Sequence, residues 1–205
     1  MDTFKTIKGG GEGLYKDKGS KFISLAFHVE TADQALGIVA ETRKRYYDAR
    51  HVCYAYMLGA ERVAFRANDD GEPSGTAGKP ILGQINSAEL TDILVIVVRY
   101  FGGILLGTGG LIVAYKTAAA EAIRNSEVEE KIVESMVRVE CGYDALNYVM
   151  RVIKECQGRV VEQQQEMECR YAIALRPSFV ELMRQRFDGV KGVKFKDKND
   201  VETCE

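Results

Sequence analysis

Two dense stretches carry the residue types that could do chemistry: DDGEPSGTAGKP, from Asp69 to Pro80, and VVRYFGGILLGTGGLIVAY, from Val97 to Tyr115. In the first, Asp69, Asp70 and Glu72 put three carboxylates within four residues, a density that suits oxygen ligation of a divalent cation. The SGTAG backbone that follows offers amides at a helix start, where an anion such as phosphate binds. These readings compete, because three acids repel a free phosphate unless a metal lies between. A third is architectural: Asp69 and Glu72 cap the helix and pair with a nearby base. The P-loop spacing G-x-x-x-x-G-K-[ST] is not met. In the second stretch Arg99 cannot lose its proton and is rarely buried unpaired, so it meets the acidic cluster or an external anion. His51 and Cys53, two apart on a strand face, have the types of a base and a nucleophile; the alternative is a small buried cysteine beside a hydrogen-bonded histidine. The candidate binding set is His51, Asp69, Asp70, Glu72, Ser74, Thr76, Lys79, Arg99 and Tyr100. No catalytic residue can be assigned, and no metal or cofactor is expected.

The elements that must position these residues can be read from periodicity. From Asp69 to Gly110, 42 residues hold nine of the chain's 20 glycines, which implies positive φ or close backbone approach. Residues 4–29 read as extended structure with a lysine-bearing turn, Lys16 to Lys21. Thr31 and Gln34 resemble a capping box, starting a helix predicted to end near Ala49. Strands are predicted over His51–Gly59 and Arg62–Asn68, and a helix over Gly78–Ser87 with Ser74 or Thr76 as its cap. ILVIVV (Ile93–Val98) reads as a central strand buried on both faces. A helix follows from Gly110 to Arg124, almost wholly apolar, with Lys116 as its notable interior charge.

Beyond Asn125 the pattern becomes strand Lys131–Cys141, helix Asp144–Cys156, strand Gly158–Gln164, strand Met167–Leu175, helix Pro177–Phe187 and strand Val190–Val201. That order is β-α-β-β-α-β, the ferredoxin-like arrangement. The expected organisation is α+β, with domains at 1–125 and 126–205. Glycine-rich loops and histidines are absent from the second, which reads as a binding or positioning domain.

Composition excludes several classes. No run of about 18 apolar residues and no apolar segment near the N-terminus occur, so neither a membrane span nor a secretory signal is expected, and the cytoplasm is the predicted location. The five cysteines are odd in number and form no C-x-x-C pair, arguing for reduced, mostly buried thiols. Net charge is −2, so the overall basic balance common in nucleic-acid binders is missing. Local clusters remain: Lys16, Lys18 and Lys21, and Arg43, Lys44 and Arg45, which could contact RNA or form a solvated helix face.

DDGEPSGTAGKPIL followed by VVRYFGGILLGTGGL, with SKFI and HVCYAY upstream, closely resembles the signature of the YigZ/IMPACT family. The resemblance implies an N-terminal domain with the ribosomal-protein/ribonuclease-PH-like β-α fold. It also implies a C-terminal ferredoxin-like domain similar to one in translation elongation factor EF-G. This chain departs from the family where His-Asn-Cys becomes His51, Val52, Cys53, and where Gly-Leu-Val-Arg-Ala-Tyr becomes Gly110 to Tyr115 with Val113 in place of the arginine. Eukaryotic relatives restrain stress signalling by competing for an activator of a translation-controlling kinase and carry a further interaction domain; that role is not expected to carry over. The expected function is a translation-associated regulatory or binding protein that contacts ribosome or structured RNA, or a protein partner, away from membranes. The alternative is a metal-assisted hydrolase of a phosphorylated or nucleotide substrate. There Asp69, Asp70 and Glu72 would hold the metal, Arg99 would stabilise negative charge and His51 would act as acid or base.

Overall fold

A computed structural model describes residues 2–197. The chain forms two compact units, one of Phe4–Lys131 and one of residues 132–197 with the first residues of the chain. The first unit is built on a five-stranded sheet of β2 (Glu12–Asp17), β3 (Ser20–His28), β6 (Ile93–Tyr100), β4 (His51–Leu58) and β5 (Ala64–Asn68), in that spatial order. Every neighbouring pair is antiparallel. A separate two-stranded sheet joins β1 (Thr3–Gly9) to β7 (Glu127–Ile132).

ILVIVV is central as expected, and its side chains from Ile93 to Val98 are fully buried. Alternation sends them to opposite layers. Leu94, Ile96 and Val98 pack with Val52, Tyr54 and Tyr56 under α1 (Ala32–Arg45), which contributes Ala35, Leu36 and Val39. Ile93, Val95 and Val97 pack with Cys53, Ala55 and Phe22 under α2 (Gly78–Ser87) and α3 (Gly107–Arg124), which contribute Ile81, Ile85, Leu111, Ala114 and Tyr115. Both faces of the sheet are therefore covered. Several glycines are demanded by close approach, two of them within the motifs. A Cβ on Gly78 would lie 2.6 Å from the Asn68 amide nitrogen, and one on Gly102 would lie 1.9 Å from the Gly19 carbonyl carbon.

α1 starts at Thr31, whose hydroxyl accepts from the Gln34 amide, while the Gln34 side chain accepts from the Glu30 amide. It ends at Arg45, four residues short of the predicted Ala49, because residues 46–48 form a turn that leads into β4. α3 begins three residues earlier than predicted, and Lys116 points to solvent on its exposed side.

In the second unit the order is β11 (Val193–Lys196), β8 (Ser135–Cys141), β10 (Cys169–Leu175), β9 (Arg159–Gln165), all antiparallel. α4 (Leu146–Glu155) and α5 (Pro177–Phe187) cover one face through Val149, Val152, Met183 and Phe187. This is the ferredoxin-like fold. The predicted strand Lys131–Cys141 is in fact two, β7 and β8, because its first part pairs with β1 and its second lies between β10 and β11. Asp144 precedes α4 rather than starting it. Residues 198–201 of the last predicted strand, and Cys204, lie outside the described residues. The other four cysteines are free and buried.

Candidate functional site

The three carboxylates of the DDGE stretch do not converge; each is committed to a different part of the first unit. Asp69 folds over the start of α2 and accepts hydrogen bonds from the amides of Gly75 at 2.9 Å, Ala77 at 3.0 Å and Gly78 at 2.8 Å. Burial pushes its carboxyl up, but these three amides outweigh that, so it titrates below the ordinary aspartate range. The anion site that the SGTAG amides suggested is thus filled by the chain's own carboxylate. Ser74 and Thr76 do not cap α2: Ser74 is exposed, and the Thr76 hydroxyl donates to the Pro73 carbonyl at 2.7 Å. A charged acceptor with two oxygens satisfies more of the orphan amides than one hydroxyl can. Lys79 lies exposed in the first turn of α2, near Asp69.

Asp70 sits in the left-handed region, φ 45°, which aspartate tolerates when its side chain is held. It is held by the Val52 amide at 2.6 Å and by an ion pair with Arg43 at the end of α1. Its carbonyl accepts from His51 Nδ1 at 2.7 Å, which fixes the tautomer of the imidazole.

Glu72 is the buried member. Its Oε1 accepts from Arg99 Nη1 at 2.5 Å and from the Tyr115 hydroxyl at 2.8 Å, with His51 Nε2 at 3.8 Å. Arg99 therefore takes the structural partner foreseen for it, and which acid it chose follows from register: β6 places Arg99 between Phe22 of β3 and His51 of β4. Its guanidinium lies over the Phe22 ring at 5.5 Å and the Phe101 ring at 5.7 Å. Although Arg99 is only 5% exposed, its Nε has no hydrogen-bond partner among the described residues.

Cys53 extends this network inward, with its thiol 3.0 Å from the Asp69 carbonyl and 3.3 Å from the Tyr115 hydroxyl. Burial pushes the thiol far up, and the surrounding carboxylates add to it, so no thiolate is available near neutral pH. Tyr115 is likewise held fully protonated by burial. The pairing of His51 with Cys53 as base and nucleophile is not formed, because His51 faces Asp70 and Glu72 while the thiol faces Tyr115.

Beside Glu72 and Arg99 opens a cavity of about 430 Å³. Its polar lining is Arg50, His51, Glu72, Arg99 and Thr108, and its apolar walls include Phe101, Leu105, Leu106 and Leu111. Of the expected set, His51, Glu72 and Arg99 reach it; Asp69, Asp70, Ser74, Thr76, Lys79 and Tyr100 do not line it. Tyr100 instead donates to Asp48 at 2.8 Å. Arg50, Phe101 and the start of α3 were missed. The only sequence signal was the run FGGILLGTGG, whose apolar residues are largely exposed, Leu105 at 82%.

The candidate RNA-contact lysines and arginines gather at the same end of the sheet. Lys16 stands directly opposite Lys21 in the β2–β3 hairpin, Lys18 occupies its turn, and Lys21 is opposite Tyr100. The turn packs on Gly102, whose amide donates to Ser20 Oγ at 3.2 Å. Arg43, Lys44 and Arg45 reach this end through the Arg43–Asp70 pair.

A double-faced antiparallel sheet, a sealed acidic loop and an open cavity beside a glycine-rich helix start define the first unit, and it is within this unit that a family model matches the chain. The family model of the Impact N-terminal domain matches residues 18–123. The chain belongs to the IMPACT family. It is 37% identical over 148 residues to the IMPACT family member YigZ of Escherichia coli, covering 70% of this chain and 72% of that one. It is 35% identical over 157 residues to YvyE of Bacillus subtilis, covering 77% and 72%. A solved structure, described as the crystal structure of a hypothetical protein, superposes over 96% of this chain and 98% of its own with TM-score 0.71 at 30% identity. No described helix is long and apolar enough to cross a membrane.

Proposed function

We propose that the chain is a translation-associated regulatory protein that docks structured RNA of the ribosome on the basic end of its first unit. The observation that carries this is the β2–β3 hairpin. Lys16 and Lys21 are directly opposed, Lys18 lies between them, and no carboxylate among the described residues forms an ion pair with any of the three. Like charges directly opposed in an antiparallel pair are destabilising, so the hairpin keeps a repulsion that a polyanion would relieve. Lys44, Arg45 and Arg50 add exposed cations at the same end. Membership of the IMPACT family supports the link to translation. The net charge of −2 confines the attraction to this end. The hydrolase reading is not favoured, since the carboxylates it needs as metal ligands are dispersed among Asp69's amides, Arg43 and Arg99.

Co-sedimentation with ribosomes at low salt tests the proposal. The wild-type chain is expected in the ribosomal pellet and a Lys16→Glu, Lys18→Glu, Lys21→Glu variant in the supernatant; a wild-type chain that stays in the supernatant removes the reading. A second reading, a protein partner, is favoured by exposed Phe101, Ile104, Leu105, Ile112 and Val113 at the start of α3. Binding that survives high salt would select it.

A further inference from the structure

We propose that the cavity at the start of α3 is a pocket for a single nucleotide, with the base inside and the phosphate at the helix start. Three features meet there. First, a buried donor stands there with its capacity unfilled. Arg99 Nε is buried and has no acceptor among the described residues, and beside it Glu72 Oε1 is taken by Arg99 Nη1 and Tyr115. A buried donor without a partner is costly, so an arrangement of this kind calls for a ligand edge that offers an acceptor. Nucleobase edges do.

Second, the walls suit a flat ring. Phe101 is half exposed beside the Arg99 guanidinium, and Leu105, Leu106 and Leu111 complete an apolar lining. The cavity, about 430 Å³, is within the range of small-molecule sites. Third, the mouth is positive. α3 has 18 residues, its first turn carries no acid, and no side chain caps it, so its orphan amides are open to a phosphate. Thr108 in that turn and the exposed Arg50 both line the cavity. Arg50 and Arg99 against Glu72 leave a net positive lining.

The nucleotide is either free or a residue of an RNA chain. This rests on the RNA-docking reading only for the second source, and the experiment separates the two. Titrations of the full chain with GMP and AMP, with ribose 5-phosphate as control and with a short single-stranded RNA as a second arm, are run on wild type, Thr108→Glu, Phe101→Ala and the triple lysine variant. Thr108→Glu places a negative charge that favours the helix start while repelling phosphate, so the variant remains folded. Saturable binding of a purine mononucleotide with Kd at or below about 1 mM is expected. Both pocket variants should weaken it at least about tenfold, and the triple lysine variant should leave it unchanged. Loss of single-stranded RNA binding in both pocket variants, with no mononucleotide saturation, assigns the site to nucleotides of an RNA chain. The proposal is overturned if ribose 5-phosphate binds as tightly as GMP and AMP, or if neither mononucleotide nor RNA binding responds to Thr108→Glu and Phe101→Ala. Failure of ribosome co-sedimentation together with mononucleotide binding would remove the docking reading and leave the pocket.

Discussion

α2 and α3 lie side by side on one face of the same sheet, and both begin in glycine-rich sequence, SGTAG before α2 and GTGG at the start of α3. Their starts have opposite fates. Asp69 reaches over α2 and occupies Gly75, Ala77 and Gly78 with one carboxylate. α3 has no side-chain cap and faces a cavity with arginines in its lining. Similar composition therefore serves closure at one helix and access at the other. What separates them is not the glycines but whether an acid from the same chain arrives first.

The largest expected effect breaks the floor of the open side. Glu72→Ala leaves Arg99 buried without its counter-charge, and chemical denaturation should show a loss of about 4 kcal/mol. The Glu72→Leu, Arg99→Met double variant should lose less than either single change, because it removes both charges together. Next comes the sealed side: Asp69→Ala frees three amides at the start of α2 and should cost about 2–3 kcal/mol, read in the same way. If it costs no more than a few tenths, the contrast between the two helix starts fails.

Acid sharpens the same point. Because the folded Asp69 carboxyl titrates below its ordinary value of 3.8, its contribution is present above that pH and is lost as pH falls through the folded value. Wild type should therefore lose stability below about pH 4 more steeply than Asp69→Asn, in denaturation midpoints followed from pH 6 down to about 2.5.

The smallest effects have the opposite sign. Thr108→Glu should raise stability by about 0.5 kcal/mol by supplying the acid that α3 lacks, a change thermal melts can resolve. Lys16→Glu should also stabilise by about 0.5 kcal/mol, replacing a repulsive cross-strand pair with Lys21 by an attractive one, while weakening RNA binding. A variant more stable and less able to bind is the signature of a site retained at the expense of the fold.

Much of this was legible in the sequence because it is local. The span Gly78–Ser87 for α2 follows from punctuation and periodicity and agrees with the structure, as does the burial of ILVIVV on both faces. The ferredoxin-like order of the second unit was readable from the succession of short periodic segments. The pairing of Arg99 with an acid followed from the cost of burying a guanidinium. What was hidden depends on distant contacts. That Asp69 caps α2 and Glu72 pairs with a base was one of the readings open in the sequence, but the amides Asp69 takes lie six to nine residues ahead, beyond the local capping spacing, so nothing in the sequence ranked it above Ser74 and Thr76. The division of 131–141 arises because β7 pairs with β1, more than a hundred residues away, with no glycine or proline to mark the break. The cavity was illegible for another reason: Leu105, Leu106 and Thr108 have no distinctive chemistry, and only the end of β6 and the start of α3 bring them to Arg99.

The most direct test of the central claim, that structured RNA docks on the basic end of the first unit, is the salt dependence of binding to a structured ribosomal RNA fragment. The slope of log K against log salt for the wild-type chain is compared with that of the Lys16→Glu, Lys18→Glu, Lys21→Glu variant. The account predicts a steep negative slope for wild type that becomes shallower by about one for each phosphate contact removed. Equal slopes for the two chains, or binding indifferent to salt, would contradict it.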